Sequence, residues 1–177
     1  MNIFILDKDP VIAARMYCDK HLVKMLCELG QLLSTAHYEH DSSVKHLVYK
    51  KTHYNHPCSK WCRLTSSNYD WTYYHFIELC FEYERRYKKV HLTYKKLANL
   101  LFINPCPQGP LTEFAQAMPD EYKNEDPVIA YRQYYISDKS RFAKWQYSKI
   151  PEWFEFRMPE LEYIDYDELN KMLEAEI

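Results

Sequence analysis

The sequence predicts an all-α fold, a single compact helical domain built on two long helices and followed by an acidic C-terminal tail. Only two glycines occur in 177 residues, so tight hairpin turns must be few. Apolar residues recur every three or four positions along two long stretches, which is the period of an amphipathic helix. The 17 Tyr, 8 Phe and 4 Trp residues supply bulky core side chains. We expect the domain to cover residues 1–154 and the extension residues 155–177.

The first long helix follows a short apolar segment. Residues 2–6 are either a strand or a buried lead-in. Asp7 or Asp9 can cap the next helix, and a proline suits its first turn. We predict that this helix runs to about Tyr38, with a bend near Asp19, whose side chain can act as an internal cap.

The remaining elements follow from start signals and apolar spacing. Residues 103–112 predict a connecting loop, and residues 149–154 predict an aromatic plug that docks against the end of the domain. The other predicted helices run from about Pro57 to Lys89, Thr93 to Phe102, Asp126 to Trp145 and Asp165 to Glu176.

The cysteine content and the absence of a recognisable signal peptide favour a reducing, cytoplasmic location. No signal peptide is recognisable, and no apolar run is long enough to span a bilayer, so we expect a cytoplasmic protein whose six cysteines are reduced and mostly buried. The net charge of −2 conceals an asymmetry, because residues 152–177 contain nine acidic and two basic residues. The rest of the chain therefore carries a net charge of +5.

A polar stripe runs along the first long helix, beside its apolar face. It consists of His21, Lys24, Glu28, Gln31 and Thr35, spaced by three or four residues. An imidazole, an amine, a carboxylate and an amide in one row are typical of a helix that lines a pocket. The alternative is a solvent-exposed face with an ordinary ion pair one turn apart.

A basic segment with interleaved tyrosines covers residues 85–96, which contain six Lys or Arg residues and no acid. Such a segment can bind phosphates and stack on bases. The alternative is a solvated helix end, since cations stabilise a helix C-terminus. The candidates for nucleic-acid contact here are Arg85, Arg86, Lys88 and Lys89.

A second group of candidates lies at the predicted start of the helix near Pro57. It forms either a rigid loop that presents donors to a ligand or a plain helix cap. Cysteine and histidine spacing in this segment is reminiscent of a zinc site, but no Cys-x-x-Cys occurs anywhere in the chain, and we predict neither a metal nor a cofactor. The candidates for nucleic-acid contact are His53, Asn55, His56, Lys60 and Arg63.

Two further patterns carry alternatives. Arg86 and His91, with four residues between them, match the spacing of a class of helical ribonucleases. Arg132 among tyrosines suits a flat or anionic ligand, although a core helix with one arginine at its edge gives the same pattern.

The sequence Asp19-Lys-His21-Leu, followed by Cys27-Glu28-Leu29, resembles the first helix of the pyrimidine-dimer DNA glycosylases of the phage endonuclease V type. That resemblance implies an all-α fold and an enzyme that acts on DNA, which we expect to be duplex. It also implies a glycosylase and abasic-site lyase in which the N-terminal α-amine attacks C1′ of the damaged nucleotide and forms a Schiff base. A glutamate on the first helix is essential in the family, and Glu28 matches its position.

Two departures from the family bear on the site. Asn2 is large, so Met1 is expected to stay and to supply the amine, with Lys24 as the alternative nucleophile. Gln31 stands where the family has an arginine. The resulting catalytic candidates are Met1, Glu28, His21 and Lys24, and Gln31 joins the residues expected to contact DNA. A nucleotide-binding, nucleic-acid-binding or base-modifying protein without lyase activity stays open as an alternative.

Overall fold

The computed structural model describes residues 2–155, and this part of the chain contains seven α-helices and no strand. The all-α prediction is therefore confirmed for these residues. The helices are α1 Pro10–Arg15, α2 Asp19–Glu39, α3 Pro57–Cys62, α4 Ser66–Tyr87, α5 Leu92–Leu101, α6 Pro127–Tyr134 and α7 Glu152–Glu155.

The first predicted helix is interrupted, so that α1 and α2 are separate. The cap residue of α2 is Cys18, which makes no side-chain cap hydrogen bond. Tertiary partners take the backbone donors instead: the Cys18 N–H donates to the Tyr135 hydroxyl at 3.1 Å, and the Asp19 N–H donates to the Lys144 carbonyl at 2.8 Å. Asp19 therefore opens α2 and does not act as an internal cap.

The second predicted helix is interrupted as well, between α3 and α4. Thr65 caps α4 because its hydroxyl accepts the Asn68 N–H at 3.2 Å, and the Ser66 N–H donates to the Pro107 carbonyl. Helices α2 and α4, with 21 and 22 residues, are still the two long elements of the fold.

The core forms where α2 packs against α3, α4 and α5. Gly30 allows α5 to approach, since a Cβ there would lie 2.8 Å from Thr93 Cγ2. Residues 2–6 form the buried lead-in and contain no strand. The Phe4 N–H donates to the Tyr17 hydroxyl at 2.9 Å, which fixes this lead-in between the helices.

The later elements differ from prediction at their ends. Helix α5 is capped by His91, whose ring accepts the Thr93 N–H, so the helix begins at Leu92, one residue before the predicted start at Thr93. Helix α6 ends early and continues as a π-helix over Tyr135–Lys139. The predicted aromatic plug is present, because Trp153 and Phe154 pack half-buried against the core.

All six cysteines are free, and four of them are buried. Across residues 2–155, none of the helices has the length and apolar character needed to cross a bilayer. The predicted helix at residues 165–176 and nearly all of the acidic tail lie outside the described residues, so the domain boundary at residue 154 stays a prediction.

Candidate active site

A cavity of about 220 Å³ opens beside the N-terminal half of α2. It is smaller than the roughly 300–1,000 Å³ typical of sites for drug-sized ligands, so it suits part of a nucleotide better than a large ligand. The lead-in, α2, the loop before α6 and the π-helical turn all contribute to its wall. The lining residues are Asn2, Phe4, His21, Lys24, Met25, Glu28, Ala117, Tyr134 and Lys139.

Three residues of the predicted polar stripe line this cavity. Lys24 Nζ lies 3.2 Å from Glu28 Oε1, and the Glu28 side chain is 15% exposed while that of Lys24 is 65% exposed. His21 lies one turn before Lys24 and is buried. Helical spacing therefore places a carboxylate, an amine and an imidazole on one wall.

Asn2 anchors the start of the chain at the same cavity. Its Nδ2 donates to the Ala117 carbonyl at 2.8 Å, and its Oδ1 lies 2.9 Å from the Tyr131 hydroxyl and 3.3 Å from Cys58 Sγ. Met1 lies outside the described residues.

His21 is a neutral side chain in this site. Its Nδ1 lies 2.7 Å from the Tyr135 hydroxyl, and its ring stacks on Phe4 with centroids 4.6 Å apart. Burial, with the positive charges of Lys139, Lys24 and Lys20 adding to it, lowers the pKa of His21 to about 3. At neutral pH the ring is therefore uncharged.

Lys139 is a cavity residue that sequence reasoning missed. Its ammonium donates to Asp138 at 2.5 Å and to the Tyr134 hydroxyl at 3.0 Å, and it lies 4.3 Å from the centroid of the Tyr134 ring. Burial alone would lower the pKa of Lys139, but these hydrogen bonds outweigh burial and raise it. Lys139 therefore enters the cavity as a fixed cation. A π-helical turn, which often marks functional sites, positions it.

The structure corrects the prediction that Arg86, in the basic segment, contacts nucleic acid. Its side chain is only 1% exposed, and its guanidinium binds Glu82 at 2.6 Å and Asp19 at 3.0 Å. It also donates to the backbone carbonyls of Tyr17 and Arg15. Arg86 is thus a buried structural cation that cannot reach a DNA phosphate, and the ribonuclease alternative with His91 loses its catalytic arginine.

Arg63 and His56 also have structural partners. Arg63 is buried, donates to the Ser59 hydroxyl at 3.0 Å, and lies 4.0 Å over the Tyr54 ring, so it is not available for DNA contact. His56 is the N-cap of α3, since its ring accepts the Cys58 N–H. This is the plain helix cap that the sequence left open.

The other candidates for DNA contact stay predictions. Gln31 is half-buried on α2 and is not among the residues that line the cavity. Arg85 is 49% exposed but pairs with Glu78 and Glu82. The candidates with exposed side chains are His53, Asn55, Lys60, Lys88 and Lys89.

A larger groove of about 560 Å³ lies elsewhere, lined among others by Arg15, Arg132, Lys149 and Trp153. All three of these cations already pair with a carboxylate: Arg15 with Glu78, Arg132 with Asp7, and Lys149 with Glu152. The smaller cavity, in which carboxylate, amine and imidazole converge, is therefore the better candidate for chemistry. Among residues 2–155, no group of three or more His, Cys, Asp or Glu side chains could hold a metal ion.

Comparison with known proteins gives one match. A family model described as "Pyrimidine dimer DNA glycosylase" matches residues 1–95, more than half of the chain. No curated protein and no solved structure matches. The matched region contains the lead-in, the cavity-lining part of α2 and both long helices. The chain therefore belongs to the pyrimidine dimer DNA glycosylase family.

Proposed function

We propose that this protein is a glycosylase and abasic-site lyase that acts on damaged or modified pyrimidines in duplex DNA through an amine Schiff base, with Glu28 as the essential carboxylate. The observation that carries the proposal is the shared cavity of Glu28 and Asn2. One wall supplies the carboxylate, and the other supplies the residue to which the N-terminal amine is attached.

The α-amine of Met1 is the proposed nucleophile, because an amine attacks only when it is neutral. An α-amine has an ordinary pKa of about 8, the lowest of the common amines. Lys139 is a poorer choice, since hydrogen bonds to Asp138 and Tyr134 raise its pKa. Lys24 is the reserve candidate, although its ammonium is already 3.2 Å from Glu28.

The proposed reaction has two stages. The amine nitrogen bonds to C1′ while the C1′–N1 bond breaks, and the base leaves with the bonding electrons. The bound nitrogen then loses a proton, and its lone pair forms the C1′=N bond of the Schiff base while the C1′–O4′ bond breaks and O4′ takes up a proton. A C2′ proton is then removed, and the 3′ C–O bond breaks with the phosphate as leaving group. Glu28 stabilises the positive character of the sugar in the first stage and accepts or returns protons in the second.

Borohydride trapping tests this chemistry directly. The full-length protein is incubated with ultraviolet-irradiated duplex and, separately, with a duplex that contains one abasic site, each with and without borohydride. We expect a covalent protein–DNA adduct, and peptide mapping by mass spectrometry should place the modification on Met1. Mapping to Lys24 would keep the Schiff base and replace the nucleophile.

The absence of any adduct on both duplexes would rule out the Schiff-base mechanism. Undamaged duplex serves as the control for non-specific reduction. A protein that binds damaged DNA without trapping or cleavage, and whose binding survives Glu28→Gln, would instead be a binding or base-modifying member of the family.

A further inference from the structure

We propose that Tyr135 is a positioning residue that holds His21 in the Nε2–H tautomer, so that the neutral ring donates a hydrogen bond to an oxygen of the departing pyrimidine. The role toward the base rests on the proposed function, whereas the tautomer itself is a property of the protein alone. The sequence does not reveal that Tyr135 contacts His21, because 114 positions separate the two residues. It therefore gives no information on the tautomer of His21.

The Tyr135 hydroxyl contacts the backbone N–H and the thiol of Cys18 as well as the ring of His21. It accepts the backbone N–H of Cys18 at 3.1 Å and lies 2.7 Å from Nδ1 of His21. Tyr135 is fully buried, and a buried hydroxyl whose proton finds no acceptor costs free energy. The backbone N–H can only donate and the Cys18 sulfur is a weak acceptor, so the hydroxyl proton is assigned to His21 Nδ1, the strong acceptor at 2.7 Å.

This donation assigns the tautomer. When Nδ1 accepts, a neutral imidazole carries its proton on Nε2. The ring cannot turn easily, because it stacks on Phe4 at 4.6 Å and meets the edge of Phe142 at 5.2 Å. With Nδ1 committed to the buried hydroxyl, Nε2 is the nitrogen left for the cavity that His21 lines.

The ring acts as a neutral donor rather than as an acid. The pKa of His21 is lowered to about 3, first by burial and then by Lys139, Lys24 and Lys20. At neutral pH the ring therefore carries a single proton, which the hydrogen bond at Nδ1 assigns to Nε2. It stabilises negative charge on a nearby oxygen through a hydrogen bond, which is most effective when the donor is already in place.

The surroundings of His21 favour a base as the recipient. Lys24, Glu28 and Lys139 line the same cavity and offer charges suited to a sugar and its phosphates, whereas the neutral ring of His21 suits an uncharged base. When the C1′–N1 bond breaks, its electron pair stays with the base, and negative charge spreads onto the carbonyl oxygens. A donor from Nε2 stabilises that charge.

The tautomer can be measured on the unaltered protein. Long-range proton–nitrogen correlation spectra of the full chain with ¹⁵N-labelled histidine distinguish a protonated from an unprotonated ring nitrogen. We expect His21 to show a protonated Nε2 and an unprotonated Nδ1, unchanged between neutral pH and pH 5. A protonated Nδ1 would overturn the proposal, whatever the enzyme does.

Tyr135→Phe then tests the role in base release. We expect roughly fivefold slower release of the base from a damaged nucleotide, the value of about one hydrogen bond, and unchanged cleavage at a preformed abasic site, where no base departs. The spectra of the variant should show His21 in a mixture of tautomers. Equal slowing of both reactions, or an unchanged His21 spectrum, would contradict the assignment.

Tyr69→Phe is the matched control. It also removes a buried tyrosine hydroxyl that binds a histidine, His37 at 2.9 Å, but neither residue lines the cavity. Base release should stay at the wild-type rate in this variant. If the wild-type protein shows no glycosylase or lyase activity, the proposed function fails while the tautomer measurement still decides whether Tyr135 positions His21.

Discussion

Two regions of this molecule combine cations with carboxylates, and they differ in where those charges point. In the closed cluster around Arg86, the guanidinium is bound by Glu82, Asp19 and two backbone carbonyls, and its side chain is 1% exposed. In the open cavity, Lys24 and Glu28 pair at 3.2 Å, yet both border about 220 Å³ of free volume.

This difference indicates that the closed cluster stabilises the fold, whereas the cavity is the place where a ligand can bind and react. The guanidinium of Arg86 joins α4 to the end of α1 and the start of α2, and these contacts leave no donor of the side chain facing solvent. The cavity groups keep part of their surface facing a space in which a nucleotide can lie. Variants in the closed cluster should therefore change stability, and variants in the cavity should change activity.

The largest expected effect comes from Arg86→Met. Removing the guanidinium leaves Asp19 and two backbone carbonyls without their buried donor and leaves Glu82 with Arg85 alone, and breaking a buried pair costs about 3–5 kcal/mol. Urea unfolding should show this loss in the free energy of unfolding. Arg85→Met is the matched control, because Arg85 is 49% exposed and its partners Glu78 and Glu82 keep Arg15 and Arg86 as ion-pair partners, so we expect a loss of at most about 1 kcal/mol. Equal losses in both variants would show that the cluster is not closed.

Glu28→Gln should reduce activity and leave stability nearly unchanged, the reverse of what we expect for Arg86→Met. We expect cleavage of an abasic duplex to fall by about 10²–10³-fold, the usual result of removing one group that stabilises charge in the transition state. The free energy of unfolding should change by less than about 1 kcal/mol, since the partner Lys24 is 65% exposed. Single-turnover cleavage and urea unfolding measure the two quantities. Glu84→Gln, at an exposed carboxylate on α4, should change neither.

The contrast between the two regions also explains which parts of the site can be predicted from the sequence. The polar stripe on α2 follows from helical spacing alone, so the sequence is sufficient to predict that His21, Lys24 and Glu28 share one wall. The same reasoning fails for Arg86, because a buried and a solvated arginine look alike in a basic segment. Only the tertiary placement of Asp19 beside Arg86 distinguishes the two.

Other parts of the site depend on contacts that no local pattern records. Asn2 reaches Tyr131 across 129 positions, and His21 reaches Tyr135 across 114. Lys139 enters the cavity through a π-helical turn, where the sequence predicts that an α-helix continues. The break before α2 is predicted only as a bend, since Cys18 gives no capping signal, whereas Thr65 carries a capping signal that sequence reasoning overlooks.

A third prediction concerns pH, because each region has its own neutral histidine. His75 is hydrogen-bonded to the hydroxyl of Tyr17, whose backbone carbonyl binds Arg86 of the closed cluster, and burial lowers the pKa of His75 to about 4. The unfolded chain, with an ordinary histidine pKa near 6.5, binds more protons than the folded chain between about pH 4 and 6.5. Stability is therefore full above this window and falls as the pH drops through it.

His75→Gln should reduce that pH dependence. The free energy of unfolding of the wild-type protein, measured in urea between about pH 4.5 and 6.5, should include a slope of about 1 kcal/mol per pH unit from His75, and the variant should lack it. His46→Gln, at an exposed histidine, is the control and should leave the slope unchanged. A variant slope equal to that of the wild-type protein would mean that His75 is already protonated in the folded state.

The smallest expected effect concerns the exposed end of the basic segment, which lies just beyond the closed cluster. Lys88 has a left-handed backbone at φ 55°, a conformation that asparagine tolerates, so the test variant is Lys88→Asn with Lys89→Gln. If each lysine contacts one phosphate, the slope of log affinity for duplex DNA against log salt should become shallower by about 1.8.

The matched control is Lys123→Gln, because the Lys123 ammonium already binds Asp120 at 2.6 Å. This variant should leave the slope unchanged. An unaltered slope in the double variant would make this segment a solvated helix end, and the cavity would then have to recruit DNA through other cations, of which Lys24 and Lys60 are the exposed candidates to neutralise next.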